Sequence, residues 1–198
     1  MTGNVGIGKK HPSIGVCGID CCLCPMHHIR DGDGCPGCTA PTASGRSGRW
    51  CAIARCAVRE RGHETCADCV AYPCERLKSI DEDDSFVTHR KSLENLQAIR
   101  TLGIGSLLRQ QAQRLAILRR MLAGFDDGRS KSHYCLACAL LPIESLTSVM
   151  AVAGELRGDD ESMDERRKRA QILRQGLNDE AQRLGVVLRL RHSRRKGS

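Results

Sequence analysis

The sequence predicts a mostly α protein, with a small irregular metal-stapled module at its N-terminal end and a helical bundle after it. Three observations carry this. Eleven of the 13 cysteines lie between Cys17 and Cys74. No long stripe of helical or strand period crosses that half. The second half repeats apolar residues at helical spacing between glycines and capping residues. The expected division is a flexible segment over 1–16, a cysteine-rich metal-binding module over 17–79, a helical bundle over 80–185, and a strand-like stretch with a basic tail over 186–198.

The start, "MTGNVGIGKKHPSIGV", is rich in glycine and weakly patterned. It has no apolar run long enough for a signal peptide. No stretch of about 18 apolar residues occurs anywhere, so no membrane span is expected. The chain is therefore read as cytoplasmic. A reducing compartment and an odd cysteine total both argue against a disulfide framework.

Residues 17–78 alternate cysteine pairs with turn residues. "RDGDGCPGC" and "TAPTASGRSGR" read as loops by composition, the second as a flexible surface insertion. "CAIARCAVRERG" reads as a short helix ended by Gly62. "CADCVAYPCERLKSI" reads as a knuckle running into a helix. Such a stretch lacks the pattern of a conventional core, so another agent has to hold it.

The second half is patterned differently. "DEDDSFVTHRKSLENLQAIRTLG" opens with acids, which favour a helix N-terminus, and closes on glycine. Leu93, Leu96 and Ile99 supply its stripe. "SLLRQQAQRLAILRRMLAG" carries Leu108, Ala112, Leu115, Leu118 and Leu122 on one expected face. Gly103 and Gly105 mark the corner between these helices. "FDDGRS" is a turn. "KSHYCLACALL" and "PIESLTSVMAVAGEL" predict two more helices, with Pro142 in a first turn. Ser162 and Glu165 form a capping-box pattern for a last helix closed by Gly185. "VVLRLR" alternates like a short strand.

The chemistry concentrates in the cysteines. Their spacing is Cys17-x3-Cys21-x2-Cys24-Pro25, Cys35-x2-Cys38, Cys51-x4-Cys56, then Cys66-x2-Cys69-x4-Cys74. Two residues between cysteines make a tight turn whose two sulfurs can reach one ion. Zinc takes four such ligands at about 2.3 Å. Structural zinc can contribute about 10–16 kcal/mol, coupled to folding, against about 5–15 kcal/mol net for a whole domain. Two zinc sites are expected. Proximity in sequence groups Cys21, Cys24, Cys35 and Cys38 in one and Cys51, Cys56, Cys66 and Cys69 in the other. Cys17 and Cys74 are then extra or exchange in, and a cross-braced pairing is equally allowed. The alternative cofactor is a [4Fe-4S] cluster, since three cysteines spaced by three and two residues can leave one cluster iron open. A radical enzyme of that kind needs a large barrel, which this chain is too short and too helical to form.

The other candidates have bland readings. His27, His28 and His63 flank the cysteines but are not needed as ligands. Cys22 reads as a lone thiol, and Cys135 and Cys138 as core residues of a helix. Asp20, Asp31, Asp33, Glu60, Glu64 and Asp68 form no recognised acid–base pair. "GNVGIGKK" lacks the spacing of a phosphate loop. Of the net charge of +8, five positive charges fall in "GVVLRLRHSRRKGS". Nucleic-acid binding through that tail is allowed but not favoured over a solvated end, and aromatics at 3% offer little surface for stacking bases.

The motif series "CGIDCCLCP", "CPGC", "CAIARCA" and "CADCVAYPCERL" resembles, in order, the signature of the prokaryotic cysteine-rich domain-of-unknown-function family 3795. That pattern is CG-x-x-C-x-x-CP, C-x-x-C, C-x-I-x-x-C-A and C-x-x-C-x-x-YPC. The resemblance covers about residues 14–150, including "DDGRSKSHYCLACALLP". It implies metal binding, zinc by preference, through all ten cysteines, and supplies no activity. The long "TAPTASGRSGR" loop and the basic end depart from it. The expectation is a non-enzymatic metal-binding protein that acts through a protein partner. An iron–sulfur electron carrier is the second reading, and a metal-dependent enzyme with a pocket between the modules the third.

Overall fold

A computed structural model of the chain describes residues 9–29, 34–35, 37, 51–155 and 162–191. Among these, the regular structure is helical and no strand is formed; one isolated bridge joins Ile14 and Asp20. A short helix α1 starts at Ala52–Ala54 and continues as a π turn over Arg55–Glu60. Then come α2 (Ser92–Leu102), α3 (Ile104–Phe125), α4 (Lys131–Leu140), α5 (Ile143–Glu155) and α6 (Met163–Arg183). Single 3-10 turns lie at Cys21–Leu23, Pro25–His28 and Cys66–Asp68. No helix among the described residues is long and apolar enough to cross a membrane.

The chain divides into two compact units. One comprises Met1–Leu108 with Arg191–Ser198, the other Arg109–Leu190. The division therefore falls inside α3 and not at residues 79–80, and α2 joins the cysteine-rich half. The reason is an apolar core in the first unit. Ile14, Val16, Val58, Leu77 and Leu96 are all fully or almost fully buried there, with Cys17, Cys24 and Cys66 in the same cluster. The expectation that this half lacks a core of its own is corrected: its apolar residues are spread along 94 positions, from Ile14 to Leu107, and no local period reveals them.

Residues 9–16 are also tied down, which corrects the flexible reading for them. Ile14 and Val16 insert into the core. The Glu64 carboxylate accepts from the backbone N–H groups of Lys10 and His11 at 3.0 and 2.8 Å. Lys9 Nζ donates to the Ile14 carbonyl at 2.6 Å. Residues 1–8, the loop over 39–49, and the tail over 192–198 lie outside the described residues.

Helix α2 starts at Ser92, not at the acids over 81–84. Leu96 and Ile99 are buried as the stripe predicts, with Leu93 partly so. Gly103, at φ 78°, ends the helix by donating to the Ile99 carbonyl. The acids do another task. Asp84, with its side chain wholly buried, accepts from Thr88 Oγ1 (3.0 Å) and from the N–H groups of His89 and Arg191 (both 2.8 Å). Arg90 and Arg191 pair with it at 3.6 and 3.9 Å. Burial alone would raise the Asp84 pKa, but these donors outweigh it and hold the carboxyl below its usual range. Arg191 also donates to the Asp81 carbonyl, so this cation of the basic end is engaged in structure.

The second unit is a helical bundle of α4, α5, α6 and the part of α3 beyond Leu108. Along α3 the buried positions in this unit are Gln111, Ile117, Leu118, Met121 and Phe125. Ala112 is exposed, and Leu115 and Leu122 are half-buried. The expected face is thus turned by about one residue. Arg114 explains it: its guanidinium donates to the Cys138 and Leu141 carbonyls at 2.6 and 2.7 Å, so a cation occupies the inner face and caps the end of α4. Tyr134 is fully buried and its hydroxyl donates to the Phe125 carbonyl at 2.9 Å. Cys135 and Cys138 lie in this core, Cys138 Sγ being 3.8 Å from Met121 Sδ.

"FDDGRS" is the expected turn. Asp126 accepts from the Gly128 N–H, and Asp127 from Arg129 N–H and the Ser130 hydroxyl. Pro142 immediately precedes α5, and its carbonyl accepts from Leu146 N–H. Ser162 caps α6 through the Glu165 N–H at 3.3 Å, while the Glu165 carboxylate pairs with Lys168. At the other end Gly185, at φ 66°, donates to Gln182 and Val186 to Ala181, a Schellman cap. Residues 186–191 alternate between half-buried and exposed but form no strand, since among the described residues no strand lies beside them to pair with.

Asp84→Ala should cost about 3 kcal/mol in urea unfolding at neutral pH, since it strands buried donors and the largely buried Arg90. Because the folded carboxyl is held below its ordinary value, its contribution is complete above about pH 4 and disappears as acid protonates it. The wild type should therefore lose stability below that pH more steeply than Asp84→Asn.

Candidate functional site

The knuckle "TCADC" is built by its own side chains. Thr65 Oγ1 accepts from Ala67 N–H at 3.2 Å, and the Asp68 carboxylate accepts from Thr65 N–H at 2.8 Å, a complete capping box. Cys66 and Cys69 thereby flank one 3-10 turn. Arg100 of α2 holds the turn from outside, donating to the Ala67 and Cys69 carbonyls at 3.2 and 3.1 Å. Its guanidinium lies 5.2 Å from the centre of the Tyr72 ring. The Tyr72 hydroxyl donates to the Leu93 carbonyl, and a cis peptide follows at Pro73. The expected helix after the knuckle is replaced by turns through residue 83.

Cys17 reaches this knuckle through backbone pairing. Cys66 N–H donates to the Val16 carbonyl at 2.8 Å. Gly18 follows at φ 86°, where a side chain is strained, and a Cβ there would stand 2.3 Å from the Ser92 carbonyl oxygen. Asn95 Nδ2 donates to the Gly18 carbonyl at 2.8 Å.

The helix α1 with its π turn, the knuckle and the turn after it surround a pocket of about 30 Å³ with Cys56, Cys66, Cys69 and Cys74 in its wall, beside Ile53 and Leu77. Cys66 is buried, while the other three are half-buried. Burial, then the neighbouring sulfurs of Cys17, Cys74, Cys56 and Cys69, push the Cys66 thiol up to about 12. Five of the ten predicted cysteines thus form one electrostatic neighbourhood. Arg61 and His63 also line the pocket. Arg61 Nη1 donates to Cys69 Sγ at 3.8 Å, and the sulfurs of Cys56 and then Cys69 hold its pKa above the ordinary arginine value.

The grouping differs from sequence proximity. Cys74 takes the place expected for Cys51. Cys51 is exposed, and its sulfur accepts from Ala54 N–H at 3.3 Å as the N-cap of α1. Cys21 and Cys24 are buried at the turns over 21–28. Cys35 approaches them through its N–H, which donates to the Met26 carbonyl at 2.8 Å. Cys38 lies outside the described residues. Cys22 is buried. His27 Nδ1 and His28 Nε2 each donate to a carbonyl, of Cys35 and Cys22, at 2.8 and 2.7 Å. Asp20 accepts from Cys22 N–H, so it, Glu64 and Asp68 have backbone-capping tasks.

Among the described residues no three or more Cys, His, Asp or Glu side chains converge as a preformed metal-ligand group. The thiols share a pocket wall, not a closed coordination sphere. Sequence reasoning missed Arg61 and Arg100 and gave Tyr72 of the YPC motif no task; Arg100 carries no local signal, being 31 residues from the carbonyl of Cys69. Comparison with family models, curated proteins and solved structures finds no match to this chain.

Gly18→Ala should destabilise the chain by about 3 kcal/mol, combining backbone strain with a backbone clash. Gly62→Ala tests strain alone, since a Cβ there meets nothing within 4 Å although φ is +67°. Thermal melts should therefore order the two, with Gly18→Ala the lower.

Proposed function

We propose that the chain is a metal-binding protein in which Cys56, Cys66, Cys69 and Cys74 hold one zinc ion as a structural centre. The observation that supports this is their placement on one small pocket from three separate stretches of chain. Four thiolates complete a tetrahedral zinc shell and leave no position for a reacting water. A structural role follows from that closure. The site ties α1, the knuckle and the "YPC" turn to one point.

A single ion fits the pocket of about 30 Å³ with less movement of its walls than a cluster of four irons and four sulfides. The thiols must shift inward and lose their protons on binding, and metal binding should therefore release protons. Zinc, when bound, supplies cross-linking charge here and no reaction step. The motif resemblance described above agrees with this ligand set for four of its ten cysteines.

Elemental analysis and a visible spectrum on protein purified without oxygen test the reading. Zinc without visible absorption is expected, and chelator treatment should lower Tm by about 10 °C, as several kcal/mol of lost ligand binding does in a chain of this size. Cys66→Ser should abolish zinc at this centre, whereas Cys51→Ser should retain it. Iron with matching sulfide would replace this reading with the [4Fe-4S] alternative, and metal-free wild type would end both.

A further inference from the structure

The thiol pocket has a cation at its edge that the ligand set does not use. Zinc with four thiolates leaves two net negative charges in a pocket walled partly by Ile53, Ala57 and Leu77. Such charge is costly beside apolar walls unless a donor or cation meets it. Three arginines lie near. Arg100 donates to the carbonyls of Ala67 and Cys69, and Arg76 to the carbonyl of Ala52 at 3.4 Å. Both serve the backbone. Arg61 instead directs Nη1 to a sulfur, Cys69 Sγ at 3.8 Å.

Local structure places it there. The π turn over Arg55–Glu60 ends at Arg61, whose N–H donates to the Val58 carbonyl. Gly62, at φ 67°, then reverses the chain toward Cys66. Cys56 and Arg61 thus leave one turn and face one pocket. A π turn in a short helix is uncommon and frequently marks a functional position.

We propose that Arg61 is an outer-sphere cation of the metal centre, donating to the Cys69 sulfur and offsetting the negative charge of the thiolate-bound ion. This rests on the zinc reading given above. Outer-sphere partners of this kind typically change metal affinity by about 10- to 100-fold. Because Arg61 is exposed, its removal should leave the metal-free fold unchanged.

Competition for zinc against a chromophoric chelator, at neutral pH on the full chain, tests the proposal. Arg61→Gln should raise the zinc Kd about tenfold, and Arg61→Lys should restore most of that loss, because it keeps the charge. Arg76→Gln, on a cation that serves a carbonyl, should leave Kd within about threefold of wild type. The metal-free Tm of Arg61→Gln should equal that of the metal-free wild type. An unchanged Kd in Arg61→Gln, with Cys66→Ser losing zinc, would overturn the role of Arg61 while leaving the centre standing. A lowered metal-free Tm in Arg61→Gln without rescue by lysine would make the residue merely structural and overturn the proposal as well. Absence of zinc binding by the wild type would instead remove the centre itself.

Discussion

The first unit depends on one close approach, that of the Gly18 backbone to the start of α2. A Cβ at Gly18 would stand 2.3 Å from the Ser92 carbonyl oxygen, so only glycine permits the contact. From that contact the rest is set. Asn95 ties the Gly18 carbonyl, the Val16 carbonyl is left to receive Cys66 N–H, and Arg100 reaches the far side of the knuckle from the same helix. Leu96 then enters the cluster with Ile14, Val16, Val58 and Leu77. Each such fully buried side chain contributes about 1.5–3 kcal/mol at most. The cysteines are arranged by this packing, and a metal would add to a core that already exists.

Helices with a steady period were legible in the sequence; places where polar side chains take inner tasks were not. The Leu93, Leu96 and Ile99 stripe is observed because every member is apolar. The stripe of α3 is turned because Gln111 is buried and Arg114 spends its guanidinium on two carbonyls at the end of α4. Nothing in a hydrophobic pattern marks an arginine as an inward cap. Asp84 misleads in the same way. An acid before a helix reads as an N-terminal charge, yet this one is buried with five partners, two of them on Arg191. The expected strand over 186–191 keeps its alternation in exposure, but no strand lies beside it among the described residues, and a strand is a pair property.

Cysteine spacing marks which local pairs stand together but not which distant cysteines join them on one pocket. Cys66 and Cys69 are joined by their own turn. Cys56, Cys74 and Cys17 arrive from elsewhere in the chain, and their arrival is decided by the core and by α2. Cys51 stands apart from this pocket: its sulfur caps the first turn of α1, five residues from a cysteine that does face the pocket.

A thiol-rich pocket coexists here with an apolar core, and the zinc proposed above would change its chemical state. As neutral thiols these cysteines behave as small apolar side chains, and the Cys66 thiol, pushed up to about 12, stays neutral at ordinary pH. Without an ion, ionising it would set one negative charge among neighbouring sulfurs with little water to screen it. With an ion present, each lost proton is exchanged for a bond to a dication, and the repulsion becomes attraction. Cys66 is thus closed to ionisation on its own, and the metal proposed above would have to displace its proton. Packing determines where the sulfurs stand, and charge determines when they ionise.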